Sequence, residues 1–308
     1  MQTNQEKRFF SLNESLKKRF GEKIYKISLN GGMTCPNRDG TLGTGGCIFC
    51  SRGGSGEFAA DKALPIAEQI EQGKNLVAKK IKNGRYIAYF QAFTNTYAPV
   101  EYLEKIFTEA ISHPDIAVLS VATRPDCLPD DVISLLERLN RIKPVWVELG
   151  LQTIHEQTAR IINRGYPLSC FESALSALKK AGIEVVVHTI LGLPGEDENM
   201  IYQTMDYLSR AGIHGIKLQL LHVLKDTRLE EIYSSGGYVP LERRQYIDLV
   251  VGCLERLDPS VIVHRITGDS PHGMLIAPEW ASCKWPVLND INRRLAELDT
   301  FQGKYFQK

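Results

Sequence analysis

The chain has 308 residues, 43% of them hydrophobic and 24% charged, with a formal net charge of +1. Such a chain folds around a sizeable core, and its balanced charge excludes a surface that is basic throughout while permitting a local basic patch. No apolar run approaches the ~20 residues that cross a bilayer, and the polar start "MQTNQEKRFFSLNESLKKRF" has no signal-peptide stretch, so a cytoplasmic protein with no membrane partner is expected.

From the N-terminus, residues about 5–20 read as a helix, within a lead-in segment 1–22. Strand runs follow at "KIYKISL" (23–29), "RYIAYFQ" (85–91), "IAVLSVAT" (116–123), "PVWVELG" (144–150), "EVVVHTIL" (184–191) and "GIKLQLL" (215–221). Several are apolar on consecutive positions, as parallel strands covered on both faces are. Helical patterns lie between them. Residues 97–113 carry Pro99 near the first turn, then Val100, Leu103, Ile106 and Phe107 at helical spacing. Residues 128–142 place acids after Pro129, and 169–183 close on lysines and Gly182. Six βα units predict an α/β fold, a partial (βα)6 TIM-like barrel over 23–259, with too few strands to close. An N-terminal helix precedes it, and a C-terminal extension over 260–308 packs on the barrel. The run "VIVHRIT" (261–267) would extend the sheet. Ligand sites in such folds sit at the C-terminal ends of the strands.

The loop after the first strand lies at that end and reads "TCPNRDGTLGTGGCIFCSRGG" (34–54). It holds Cys35, Cys47 and Cys50 as Cys-x11-Cys-x2-Cys, three of the seven cysteines. In a reducing compartment a cluster of this kind points to a metal or catalytic site, not to disulfides. Structural zinc takes four ligands, and the loop offers no fourth Cys or His. A thioredoxin-like pair would leave Cys35 without a role. An iron–sulfur cubane needs four ligands, so three thiolates leave one iron open to an external ligand. The ligand count favours the cubane, with zinc and unliganded thiols as the alternatives. Cys127, Cys170, Cys253 and Cys283 show no second-cluster spacing; Cys127 falls nearest the site.

With this loop on a partial barrel, the chain resembles the radical S-adenosylmethionine superfamily. "GGMTCPNRDGTLGTGGCIFC", "QAFTNTY", "TRPDCL", "ELGLQT", "INRGY", "LGLPGE" and "RITGD" together resemble the YtqA/YhcC-type proteins, related to the catalytic subunit of Elongator. The likeness runs over about 8–305, and a widened gap between the first two cysteines is typical of that branch. It implies a [4Fe-4S] cluster on Cys35, Cys47 and Cys50. It also implies S-adenosylmethionine cleaved to a 5′-deoxyadenosyl radical, and an electron donor such as flavodoxin or ferredoxin. Four cofactor-binding residues carry over: Phe49 beside the adenine, Gln152 near the ribose, Arg164 on the methionine carboxylate and His188 facing the ribose. An aromatic ring suits a flat heterocycle, and a guanidinium grips a carboxylate bidentately. The competing readings are a core Phe, a helix-surface Arg and a hydrogen-bonded core His. "QAFTNTY" stands where the superfamily has a Gly-Gly-Glu-like stretch for the methionine amine. Glu148 faces away from Leu149 into the barrel, where a buried carboxylate needs a partner that the sequence does not name.

The resemblance further implies tRNA as substrate, with 5-carboxymethylaminomethyl uridine at the wobble position converted to 5-aminomethyl uridine. Basic runs at 79–85, 138–143, 242–244 and 292–294 suit phosphate contacts, and equally suit solvated helix faces. Lys284 and Trp285 fall in a stretch that either covers the barrel mouth or packs. A radical enzyme acting on a small porphyrin-like molecule and a non-enzymatic metal-binding protein are the other two readings.

Overall fold

Strands that are apolar on both faces need cover on both sides, and the chain supplies it by alternating strand with helix. The computed structural model describes residues 8–54, 56–79, 81, 84–268, 270 and 273–307. Its strands are β1 (Tyr25–Leu29), β2 (Tyr86–Phe90), β3 (Ile116–Thr123), β4 (Val145–Gln152), β5 (Glu184–Leu191), β6 (Gly215–Leu220), β7 (Val223–Leu224), β8 (Ile262–Arg265) and β9 (Leu275–Ala277). The helices are α1 (Leu12–Phe20), α2 (Ile66–Val77), α3 (Val100–Ser112), α4 (Asp130–Asn140), α5 (Glu156–Ile161), α6 (Leu168–Lys180), α7 (Glu198–Ala211), α8 (Arg228–Ser234), α9 (Arg243–Arg256) and α10 (Lys284–Glu297).

One parallel sheet runs in the order β1-β2-β3-β4-β5-β6-β8, and β7 pairs with β9 antiparallel beside it. The run at 261–267 therefore does extend the sheet as β8, so a strand from the C-terminal 49 residues belongs to the barrel wall. The sheet curls far enough for its two sides to meet across the interior: Lys217 on β6 donates to the Tyr89 hydroxyl on β2 at 3.2 Å. It remains open, since β1 and β8 are its edges.

The N-terminal helix is shorter than the sequence pattern suggests. Residues 5–7 lie outside the described residues, and 8–11 are not helical. Ser11 is the N-cap, its side chain accepting from the Glu14 N–H, and Gly21 in the left-handed region ends the helix. The backbone before it is drawn out along β8, where the Val263 N–H donates to Phe10 O at 2.8 Å.

Alternation along each strand sorts the two faces. Val145, Val147 and Leu149 of β4 face outward into the main core with Leu103, Phe107, Leu135 and Phe171 from the helices. Each such buried side chain contributes roughly 1.5–3 kcal/mol. Facing inward, Ile87, Val118 and Trp146 pack against Leu16 and Ile24, so α1 and the turn after it plug one end of the half-barrel. Above that plug the interior turns polar, with Tyr89, Ser120, Glu148 and Lys217 all buried. The other end is open.

Candidate active site

A cavity of about 900 Å³ opens at the C-terminal ends of the strands, and Cys35, Cys47 and Cys50 all line it. The wide gap between the first two cysteines is closed by the loop's own backbone. Leu42 N–H donates to Pro36 O at 2.7 Å, and Gly46 N–H to Asn37 O at 2.7 Å, so residues 38–45 form a side excursion and Cys47 returns beside Cys35. The loop is then pinned to the "INRGY" turn. Asn37 Nδ2 donates to Asn163 O at 2.6 Å, and Asn163 Nδ2 donates to Gly46 O at 2.7 Å. Arg38 reaches over the excursion to donate to Cys50 O and Ser51 O, each at 2.6 Å. Gly54 closes the far side with φ +61, and a Cβ there would sit 2.3 Å from the Phe93 ring. Only glycine serves in that place.

The thiols suit a cluster better than a single ion. A tetrahedral zinc with Zn–S of about 2.3 Å holds its sulfurs roughly 3.8 Å apart. Here the three Sγ atoms do not all lie within 4.8 Å of one another; among the described residues only Glu71, His113 and Asp115 make so tight a trio. Three thiolates at one cavity would serve three irons of a cubane and leave the fourth open. Burial pushes the Cys47 thiol up to about 12, and it pushes the Cys50 thiol up as well. Metal ligation is therefore coupled to loss of their protons.

The four expected cofactor residues all line the cavity. Phe49 lines it and also packs against the apolar cluster in which its neighbour Ile48 is buried. Gln152 has φ +68 at a register shift in β4, and its buried Oε1 accepts no hydrogen bond. A buried acceptor without a donor fits a ligand hydroxyl. His188 Nε2 donates to Glu148 Oε2 at 2.7 Å. Arg164 is only 1% exposed, so it is not a helix-surface charge. Most of its fork is already taken: Nε donates to Tyr166 O at 3.0 Å, and Nη1 donates to Leu151 O at 3.0 Å and Thr153 O at 2.6 Å. Its Nη2 lies 3.6 Å from Glu156 and makes no hydrogen bond, which leaves one nitrogen for a ligand.

The partner that Glu148 needed is a set of four. Its carboxylate is fully buried and meets Lys26 Nζ at 2.7 Å, Ser120 Oγ at 2.6 Å, His188 Nε2 and Lys217 Nζ. Burial alone would raise its pKa, but the charges of Lys217 and Lys26 and the His188 hydrogen bond hold it well below the ordinary carboxylate range. His188 moves the other way, down to about 4, because burial and the nearby Lys217 disfavour the imidazolium. At neutral pH the centre of the half-barrel holds an ionised carboxylate and a neutral imidazole.

Sequence reasoning passed over Lys217, Lys26 and Arg124. Lys217 had a signal, being a lysine inside the apolar run "GIKLQLL", the same anomaly that singled out Glu148. Arg124 sits in "TRPDCL", a stretch whose more conspicuous residue in the sequence is Cys127. It grips Asp126 through two nitrogens at 2.9 and 2.6 Å and stacks 4.8 Å over Tyr166, opposite Arg164. Cys127 is buried beneath it and is absent from the cavity lining. Gln91, Phe93 and Thr94 of "QAFTNTY" do line the cavity, whereas the Asn95 and Thr96 side chains are committed to Ala122 O and to Cys127 O. From the C-terminal stretch Glu279 and Ser282 reach the mouth; Lys284 and Trp285 are not among the lining residues.

An open parallel half-barrel with three thiols lining a cavity at its mouth is the arrangement expected of a cofactor-dependent radical enzyme, and comparison with known proteins agrees. Residues 35–208 match the Radical SAM superfamily, and 213–297 match the Radical_SAM C-terminal domain. YtqA of Bacillus subtilis is 47% identical over 306 residues, covering 99% of this chain and 95% of that protein. YhcC of Escherichia coli K12 is 39% identical, covering 92% and 90%. Elongator complex protein 3 of Drosophila melanogaster is 29% identical over 181 residues, covering 58% of this chain and 31% of that one. Among solved structures, the archaeal Elp3 of Methanocaldococcus infernus, with its N-terminus deleted, superposes with a TM-score of 0.70 at 16% identity over 91% of this chain and 64% of that one. The chain belongs to the radical S-adenosylmethionine superfamily, whose members bind a [4Fe-4S] cluster and S-adenosylmethionine.

Proposed function

We propose that this enzyme modifies the wobble uridine of tRNA, converting 5-carboxymethylaminomethyl uridine to 5-aminomethyl uridine, with Cys35, Cys47 and Cys50 holding the cluster. When bound, the family cofactor would supply a carbon-centred radical able to remove a hydrogen atom from a C–H bond. A carbon lying between nitrogen and carboxylate would give a stabilised radical; loss of one further electron to a one-electron acceptor would leave an imine, which water would cleave to the 5-aminomethyl uridine and glyoxylate. Phe49, Gln152, Arg164 and His188 are the residues set to hold S-adenosylmethionine against the cluster, and a small electron-transfer protein such as flavodoxin or ferredoxin is the reductant.

The observation that carries this reading is the size and mouth of the cavity. At about 900 Å³ it lies near the top of the ~300–1,000 Å³ usual for small-molecule sites, with room for a nucleoside beside the cofactor. Phe58, 55% exposed, stands in its lining as a platform on which an extruded base can stack. Similarity to Elongator complex protein 3 supports the same direction. The basic runs lend less support: Arg243 and Arg293 share Asp290, while Arg244 and Arg294 share Asp248, so the 242–244 and 292–294 stretches mainly neutralise one another's helices. Nucleoside analysis of tRNA from strains with and without the gene tests the reading. Deletion should raise 5-carboxymethylaminomethyl uridine, and an unchanged profile in an organism with no other enzyme for this step would refute it.

A further inference from the structure

On the β6–β8 side of the cavity the charges do not balance. Lys217 and Arg265 are register partners on adjacent strands, and both line the cavity. The register shifts by one residue at Ile216/Lys217, which skips His264 and turns Arg265 inward beside Lys217. Among the described residues Glu148 is the single carboxylate bonded to this group, and it already serves Lys26 and Lys217 together. Among the described residues Arg265 makes no ion pair or hydrogen bond. Of the other carboxylates in the lining, Glu57 bonds Ser51 beside the cysteines, and Glu279 is exposed at the rim. Among the described residues Lys26, Lys217 and Arg265 thus face one carboxylate, with His188 and His264 held neutral by burial. Lys217 is 4% exposed; burial, Lys26 and Arg265 depress its pKa, while Glu148 opposes them.

We propose that Lys217 and Arg265 form a carboxylate-binding subsite at the wall of the cavity, set to receive an anionic group of the substrate. The charge of the ligand follows from the residues; its identity as the carboxymethyl group of the modified uridine rests on the function proposed above. A carboxylate placed between the two would offset part of this excess positive charge, and a guanidinium can take it through two parallel hydrogen bonds. The subsite would select the acid over uridines that lack it, because an ammonium and a guanidinium left unpaired are costly.

The test uses anaerobically reconstituted holoprotein, as wild type, R265Q and R265K, with two acid–amide pairs. One pair is an anticodon stem-loop RNA bearing 5-carboxymethylaminomethyl uridine and the same RNA with the carboxylate replaced by carboxamide. The other is N-methylglycine and N-methylglycinamide, read by thermal shift, which carries the acid without any nucleoside. The acid should bind at least about tenfold tighter than the amide in wild type, R265Q should erase that preference, and R265K should restore part of it. If the small acid discriminates while neither RNA binds, the subsite stands and the tRNA reading falls. If the RNA binds but acid and amide are equal, or R265Q weakens both alike, the subsite is overturned and the tRNA reading survives. R265Q that weakens S-adenosylmethionine while the small-acid preference persists also overturns it, since the methionine carboxylate would then be what Arg265 holds.

Discussion

Glu148 is the residue on which the interior depends. It is fully buried, and its charge is held by two lysines, a serine and a histidine from four different strands. Removing one member of a buried ion pair typically costs ~3–5 kcal/mol, because the other charge is left behind. E148Q keeps the shape and strands both lysines, so a loss of that order should appear in denaturant unfolding of the protein; a loss under ~1 kcal/mol would show that the lysines are satisfied without it. His188 adds a pH dependence. Its folded pKa is about 4, while an unfolded histidine titrates near 6.5, so between those values the unfolded chain binds a proton that the folded one does not. Stability should therefore fall as pH drops from about 6.5 toward 4, with the full contribution present above that window. Subtracting the H188Q profile from wild type isolates this slope, and identical profiles would mean that His188 titrates normally.

At the scale of elements, the decisive unit is the loop between β1 and α2, whose backbone folds the long excursion 38–45 out of the way. C35A, C47A and C50A should each abolish iron binding after anaerobic reconstitution, while C170A and C253A retain it; normal iron in any of the first three would break the assignment. G54A places a methyl group into the Phe93 ring and an L-residue at positive φ, which alone costs roughly 1–2 kcal/mol. It should lower both the melting temperature and the iron content, and an unaffected iron content would show that the loop tolerates the shift. The same scale marks what the sequence could tell. The strand runs at 116–123 and 184–191 coincide with β3 and β5 because β-branched apolar stretches bounded by turns read clearly. The three thiols were legible from residue type and spacing alone. The partners of Glu148 were not: period-two alternation says which face a residue takes, but Lys26 and Glu148 stand 122 positions apart and meet only because the sheet curls. Nor did composition reveal that Arg164 spends its fork on carbonyls, since that depends on where the β4 chain ends.

For the molecule as a whole, the half-barrel separates its tasks along one axis. α1 and its turn seal one end with Leu16, Ile24 and Trp146, a polar layer around Glu148 sits above, and the cysteine loop and Phe58 stand at the open mouth. A near-neutral molecule can still hold a folded tRNA by a few phosphate contacts around a concave mouth, so binding should weaken with salt even without a basic domain. The claim that joins fold, thiols and cavity is a radical modification of one nucleoside. Its most direct test is incubation of reduced, cluster-loaded enzyme with S-adenosylmethionine and tRNA carrying 5-carboxymethylaminomethyl uridine, followed by nucleoside analysis. 5-Aminomethyl uridine and 5′-deoxyadenosine should appear together, and both should be absent in C35A. Formation of 5′-deoxyadenosine with the uridine left unchanged, under conditions where the RNA is bound, would contradict that claim.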